Sequence, residues 1–357
     1  MPTHVFETKK VIGKGHNSII FKVENNTNTG YFNDYIITEI GNEGIKILSS
    51  TEFVENNKKQ VSVVCNDLWD YAEMINSLQI KYISDNELLE YYNTLFEKIQ
   101  TVFGYFNVSQ PCISFALENK IKELLEQAKI DRDVQLDITR EMLKQDEITH
   151  MEQEEIELIE FAIKIKKKGI ENNFNGSFIG IVKNINWDIP EFFNHQRKYA
   201  FLASSENFDE FDLKYFAERL QKLLGLSESE LCKRIIEKNP DKEVLSKKRE
   251  MCIKKHKLSS ELVYFFNVAR IYSHQRMLTR IFWTKGINVW GKMLREIARR
   301  MNLNETEIQY ILRKEINQYF DNKNIISEEE VRKRMKFCIY AIFNESEPML
   351  FTGDTAR

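Results

Sequence analysis

The stretch ELVYFFNVARIYSHQRMLTRIFWTKG, residues 261–286, sets Arg270, His274, Arg276 and Arg280 into an otherwise apolar run one helix long. At about 100° per residue, Asn267, Arg270 and His274 share one edge of such a helix, and Ser273, Arg276 and Arg280 share the edge beside it. Tyr264, Val268, Ile271, Tyr272, Phe282 and Trp283 hold the other half, while Val263, Phe266, Met277 and Ile281 interrupt the polar arc. A helix that is apolar nearly all round is buried among others, so its arginines must either pair with acids or face an internal cavity. Guanidinium groups suit planar, two-pronged capture of phosphate or carboxylate. On the sequence both readings stay open: an anion-binding pocket, or ion pairs that tie helices together.

Other stretches carry less. Glu147 and His150, in EITH, would place a carboxylate and an imidazole on one helix face, as di-iron bundles do, but those bundles need two such pairs and no second Glu-x-x-His occurs. VIGKGHNSIIFKV, residues 11–23, opens like a kinase glycine-rich loop, yet the third glycine is missing and no VAIK, HRD or DFG sequence follows. A strand-turn-strand without nucleotide is the expectation there. GxxxxGK[ST], GxSxG and HExxH are absent. Cys65, Cys112, Cys232, Cys252 and Cys338 lie far apart with no CxxC pair, which argues against a zinc site or a disulfide framework.

The elements that must position these residues read as mainly α. The chain has 357 residues, 42% hydrophobic and 29% charged, enough to bury a sizeable core in two or three domains. Ser84/Glu87, Ser227/Glu230 and Ser327/Glu330 have the spacing of capping boxes, Asn304/Glu307 is a close variant, and each marks a helix start. Leu88, Leu89, Tyr92, Leu95, Phe96, Ile99, Val102, Phe103 and Phe106 then draw one apolar stripe at spacings of three and four. The β-branched and aromatic runs HNSIIFKVENNTNTGYFNDYIITEI and KKQVSVVC suggest short strands in the first 65 residues. The expected architecture is a multi-helix bundle-like domain over residues 81–345, with a possible sub-boundary in the Gly/Asn-rich segment 169–188. A small mixed α/β cap precedes it over 1–80, and a C-terminal connector follows over 346–357.

A net charge of −3 gives no global attraction to nucleic acid or to an anionic membrane. No apolar run of transmembrane or signal-peptide length occurs, so a cytoplasmic protein is expected. Charge is nevertheless uneven: residues 131–160 hold eleven acidic and three basic side chains, whereas 241–300 hold fifteen basic and five acidic. Solvated helix faces that partly pair with one another, or an anion site in the basic half, are the two ways to read this.

Residues 255–316, from KHKLSSELVYFF to QYILRKEI, resemble the helical region between the catalytic modules of phosphoenolpyruvate-utilising enzymes of the phosphoenolpyruvate synthase and rifampicin phosphotransferase type. EEIELIEFA, residues 154–162, and HQRKYAFL, residues 195–202, look like the acidic helix and the His-x-x-x-Tyr segment of the same family. The resemblance implies a helical substrate-binding or linker portion of a phosphotransferase. Its substrate-binding residues would be Arg270, His274, Arg276, Arg280, His195 and Tyr199, recognising a small-molecule acceptor without covalent chemistry.

That family's nucleotide-binding and phosphohistidine motifs are not found, and the six histidines lack the glycine-rich context of a phosphohistidine. No catalytic residue and no metal ligand is assigned. No cofactor is expected in this chain, ATP and Mg belonging to domains that FTGDTAR at the C-terminus would lead into or that a partner chain would supply. The competing expectation is a non-catalytic helical interaction module whose basic face docks an acidic protein partner. A pocket requires the arginines to converge on a void, whereas a platform exposes them.

Overall fold

The computed structural model describes residues 3–25, 27–109, 111–169, 189–204, 208–239, 241–322, 326–343 and 348–353. Its elements are α1 (Thr3–Ile12), β1 (Ser18–Glu24), β2 (Thr27–Phe32), α2 (Asp34–Leu48), α3 (Thr51–Ser77), α4 (Asp85–Val108), α5 (Pro111–Gln127), α6 (Arg132–Met142) and α7 (His150–Lys167). They continue with α8 (Ile189–Tyr199), α9 (Leu213–Leu224), α10 (Glu228–Lys238), α11 (Lys242–His256), α12 (Ser260–Met301), α13 (Arg313–Asn322), α14 (Glu328–Lys336), β3 (Phe337–Phe343) and β4 (Met349–Thr352). The protein is mainly α with one small antiparallel sheet. Among the described residues no helix is long and apolar enough to cross a membrane.

Two compact units divide the chain, one formed by residues 1–123 with 289–357 and the other by 124–288. The expected boundary at residue 80 falls inside the first unit, and 170–188 lies outside the described residues.

In the first unit, the buried side chains Val61, Cys65, Leu68, Ala72 and Ile75 follow one another at spacings of four and three, so α3 presents a continuous apolar stripe. This corrects the strand expected for KKQVSVVC: its β-branched residues belong to a helical period, not an alternating one. The stripe of α4 that packs against α3 is the expected one, with Leu88, Tyr92, Leu95, Ile99 and Val102 buried. Ser84 and Glu87 close the capping box at its start. Gly104 lets α1 approach α4, since a Cβ there would stand 2.7 Å from Cβ of Glu7.

The sheet runs β2-β1-β3-β4, every pair antiparallel, with Ile19 opposite Ile342 and Val23 opposite Cys338. Half of its strands therefore come from the C-terminal region, including part of the expected connector, whereas strands were foreseen mainly in the first 65 residues. The turn before β1 also differs from expectation. It follows a helix, not a strand, and Gly13 ends α1 at φ 73° with its N–H donating to the Lys9 carbonyl. Asn304 and Glu307 exchange the expected capping bonds, but a 3₁₀ turn over Glu307–Tyr310 follows where a helix was foreseen.

Among its described residues the second unit has helices and no strand. Leu158, Ile159, Ala162 and Ile165 of α7 meet Phe192 and Tyr199 of α8, Phe216 and Leu220 of α9, and Leu231 of α10 in one core. That core fixes α7 beside α8 and α9, and with them the polar side chains of their adjoining turns.

Candidate functional site

Thr149 and Glu152 form a capping box that starts α7 at His150. The Thr-x-x-Glu spacing was present in the sequence and unread. Because the helix begins there, Glu147 lies in the preceding bend and not on a helix face with His150, contrary to the EITH expectation.

One turn into α7, Glu154 is only 4% exposed. Nη1 of Arg219, from α9, donates to both of its oxygens at 2.7 Å, and Nε2 of His195, from α8, lies 3.0 Å from Oε1. One turn further, Glu157 accepts from Lys198 Nζ at 2.7 Å, from Gln153 Nε2 at 3.0 Å and from the Tyr199 hydroxyl. Burial alone would raise the Glu157 carboxyl, but these three donors outweigh it and hold the group below its ordinary value. Burial, and then the bond to Glu157, push the Tyr199 phenol well above its usual range. His195 and Tyr199 touch ring to ring at 4.9 Å. EEIELIEFA and HQRKYAFL are thus side by side, joined through these carboxylates. His195 also lines a cavity of about 380 Å³ with Glu157, Glu160, Phe161, Asn194 and Lys198, where the Lys164–Glu191 ion pair forms part of the rim.

The residues singled out on α12 have other surroundings. Asp146 accepts from both Arg249 and Arg270, the latter at 2.7 Å, and Arg270 also donates to Asn267 Oδ1 at 2.7 Å. His274 Nε2 lies 3.0 Å from Glu147. Arg276 and Arg280 are exposed, the second stacked over Trp283 at 5.4 Å. Of the six expected site residues, the structure joins His195 with Tyr199, pairs Arg270 and His274 with separate acids, and leaves Arg276 and Arg280 at the surface. Glu154, Glu155 and Glu157 of the EEIELIEFA segment bond to Arg219, Lys238 and Lys198 and not to the arginines of α12. Half-buried His150 stands edge-on to Phe282 at 5.7 Å, and burial, then the charges of Lys198 and His274, push its imidazole below the usual value.

A second polar feature was not singled out from the sequence. On α11, Leu245 and Cys252 are buried, which anchors one side of the helix. About 100° round the helix Val244 is 44% and Met251 70% exposed, and Lys247, Lys248, Lys254 and Lys255 are exposed around them. Lys247 reaches Glu243 only at 4.0 Å between two highly exposed side chains, a contact worth little in water. Lys248, Lys254 and Lys255 form no ion pair among the described residues. The signal available in the sequence was KKREMCIKKHK, residues 247–257, a charge run that its flanking apolar residues turn into a face.

Compared with known proteins, the chain matches no family model, no curated protein and no solved structure.

Proposed function

We propose that the second unit serves as a non-catalytic docking module whose basic face engages an acidic protein partner. The observation that carries this reading is the outward side of α11, where four lysines flank two exposed aliphatic side chains. Lysines of which Lys247 alone reaches a carboxylate among the described residues, at 4.0 Å, raise the local potential and steer an anionic partner. The exposed aliphatics give that partner apolar surface to bury. Arg276 and Arg280 add to the basic surface of the same unit. Reversing Lys247, Lys248, Lys254 and Lys255 to glutamate is expected to weaken binding of a glutamate-rich helical peptide about a hundredfold in low salt, measured by fluorescence anisotropy. Unchanged affinity in the variant overturns the reading.

A second reading, the substrate-binding portion of a phosphoenolpyruvate synthase-like phosphotransferase, is favoured by one observation: His195 and Lys198 line a cavity beside Tyr199. A phosphorylated small molecule bound there at about 100 times its Kd would stabilise the protein by about 2.7 kcal/mol. A thermal-shift screen with phosphorylated metabolites, compared between the wild type and Lys198→Glu, reads this directly. A shift in the wild type that the variant loses supports it, and no shift in the wild type removes it.

A further inference from the structure

The exposed side of α11 repeats after seven residues: Val244-x-x-Lys247-Lys248 is followed by Met251-x-x-Lys254-Lys255. At about 100° per residue the six positions fall within an arc of about 120°. Within it Val244 and Met251 form a central file, separated along the axis by two turns, about 10.5 Å. Lys248 and Lys255 make a row on one flank of that file, and Lys247 and Lys254 make a row on the other. About 100° round the axis from the file, Leu245 and Cys252 are buried, and Arg249, Ile253 and His256 beyond them are partly so; the repeat lies within the exposed side, where exposed Glu243 and Glu250 border the Lys247 and Lys254 row.

This pattern distinguishes among acidic partners. A nucleic-acid phosphate lattice uses lysines wherever they stand and gives no role to an apolar file between two lysine rows, and a headgroup layer calls for a broader apolar face than two side chains. A helix laid along α11 uses both. Its own residues seven apart cover Val244 and Met251, and carboxylates at the flanking heptad positions face the lysine rows, as charges flank the apolar seam of a coiled coil. Methionine suits such a contact because its unbranched side chain adapts to the opposing surface.

We infer that the partner element is an α-helix with aliphatic residues seven apart and a row of Glu or Asp on each side, seated lengthwise on α11. The inference rests on the docking reading and narrows it from acidic partner to acidic amphipathic helix. Only two heptads are present, so the contact is small, of modest affinity and sensitive to salt.

The test uses the full chain and four labelled probes. The first is a peptide of about 21 residues, long enough to hold helix, with leucine at every seventh position flanked by glutamates on an alanine background. The second is an isomer of identical composition with the leucines out of register, the third a short DNA duplex, and the fourth a phosphatidylserine vesicle. The heptad peptide is expected to bind about tenfold more tightly than its isomer. The variant carrying Val244→Ser and Met251→Ser, both at exposed positions, should erase that difference while keeping affinity for the isomer. Lys248→Glu with Lys255→Glu should weaken both peptides. Equal binding of the two peptides overturns the helix inference and leaves the docking reading in place. Failure of both peptides overturns the docking reading itself, and tighter binding of duplex or vesicle than of the heptad peptide replaces it with a phosphate surface.

Discussion

Replacing Arg219 by methionine is expected to lower stability by about 3–5 kcal/mol, because a buried carboxylate is left without its cation. Glu154 is 4% exposed, and both of its oxygens accept from Arg219 at 2.7 Å. After the substitution, among the described residues only the His195 imidazole remains within hydrogen-bond distance, at 3.0 Å. Adding Glu154→Leu to Arg219→Met should recover most of the loss, since apolar groups of similar volume often replace a buried ion pair without cost. Denaturant unfolding of the two single variants and the double variant gives the coupling directly. A single-variant cost below about 1 kcal/mol would mean that water reaches Glu154 and that the centre is not a buried one. Lysine-face docking should survive in the double variant, because none of the α11 side chains that carry it touches Glu154.

Much of the fold was legible in the sequence, and what was not has a definite physical cause. Capping boxes and spacings of three and four are local, so the starts of α4 and α10 and the α4 stripe could be read from neighbours alone. The helix carrying Arg270 to Arg280 was legible for the same reason, and His195 and Tyr199 one turn apart were legible as a pair. Partners were not. Asp146 stands 124 positions from Arg270, and Glu154 stands 41 from His195 and 65 from Arg219. No periodicity links residues that far apart, and several acids of residues 131–160 were equal candidates until the core of α7, α8 and α9 chose among them. The pairing of β1 with β3 joins opposite ends of the sequence and left no local signal either. Val61, Val63 and Val64 misled because β-branching favours a strand in isolation. Burial of Val61, Cys65 and Leu68 shows that packing on one helical stripe outweighed it.

The uneven charge of the chain acquires a meaning from these pairings. Asp146, Glu147, Glu154, Glu155 and Glu157 are all engaged inside the second unit, by Arg249 and Arg270, His274, Arg219, Lys238 and Lys198. Part of the acidic segment is thus paired where it lies. Lys248, Lys254 and Lys255 receive none of that compensation among the described residues. Ion pairs that hold helices together and a surface that recruits a partner therefore coexist in one unit, and they draw on different basic residues.

In the first unit the corresponding centre is Arg334, whose side chain is 7% exposed. Its Nη1 and Nη2 donate to the Glu315 carboxylate at 2.8 and 2.9 Å, its Nε to Glu330 at 3.0 Å, and Nη1 also to the Tyr310 carbonyl at 3.0 Å. It ties α14 to α13 and to the turn before α13. Arg334→Met is expected to cost about 3–5 kcal/mol at neutral pH, since it strands two carboxylates and a carbonyl together. The pH dependence separates this from a loss of packing. Burial would raise the Glu315 carboxyl, but Arg334 and the Leu312 N–H hold it below the ordinary value. A carboxyl depressed on folding contributes stability that is present above its unfolded pKa, about 4.3, and is lost as pH falls through the folded value. The wild type should therefore weaken on acidification below about pH 4. Without the guanidinium, burial dominates and the folded value rises above the unfolded one, so the sign reverses. The variant should then gain stability as pH falls from 7 toward 5, while the wild type changes little over that window. Parallel stability curves for the two proteins between pH 7 and 4 would show that Arg334 acts through its aliphatic stem and not through its charge.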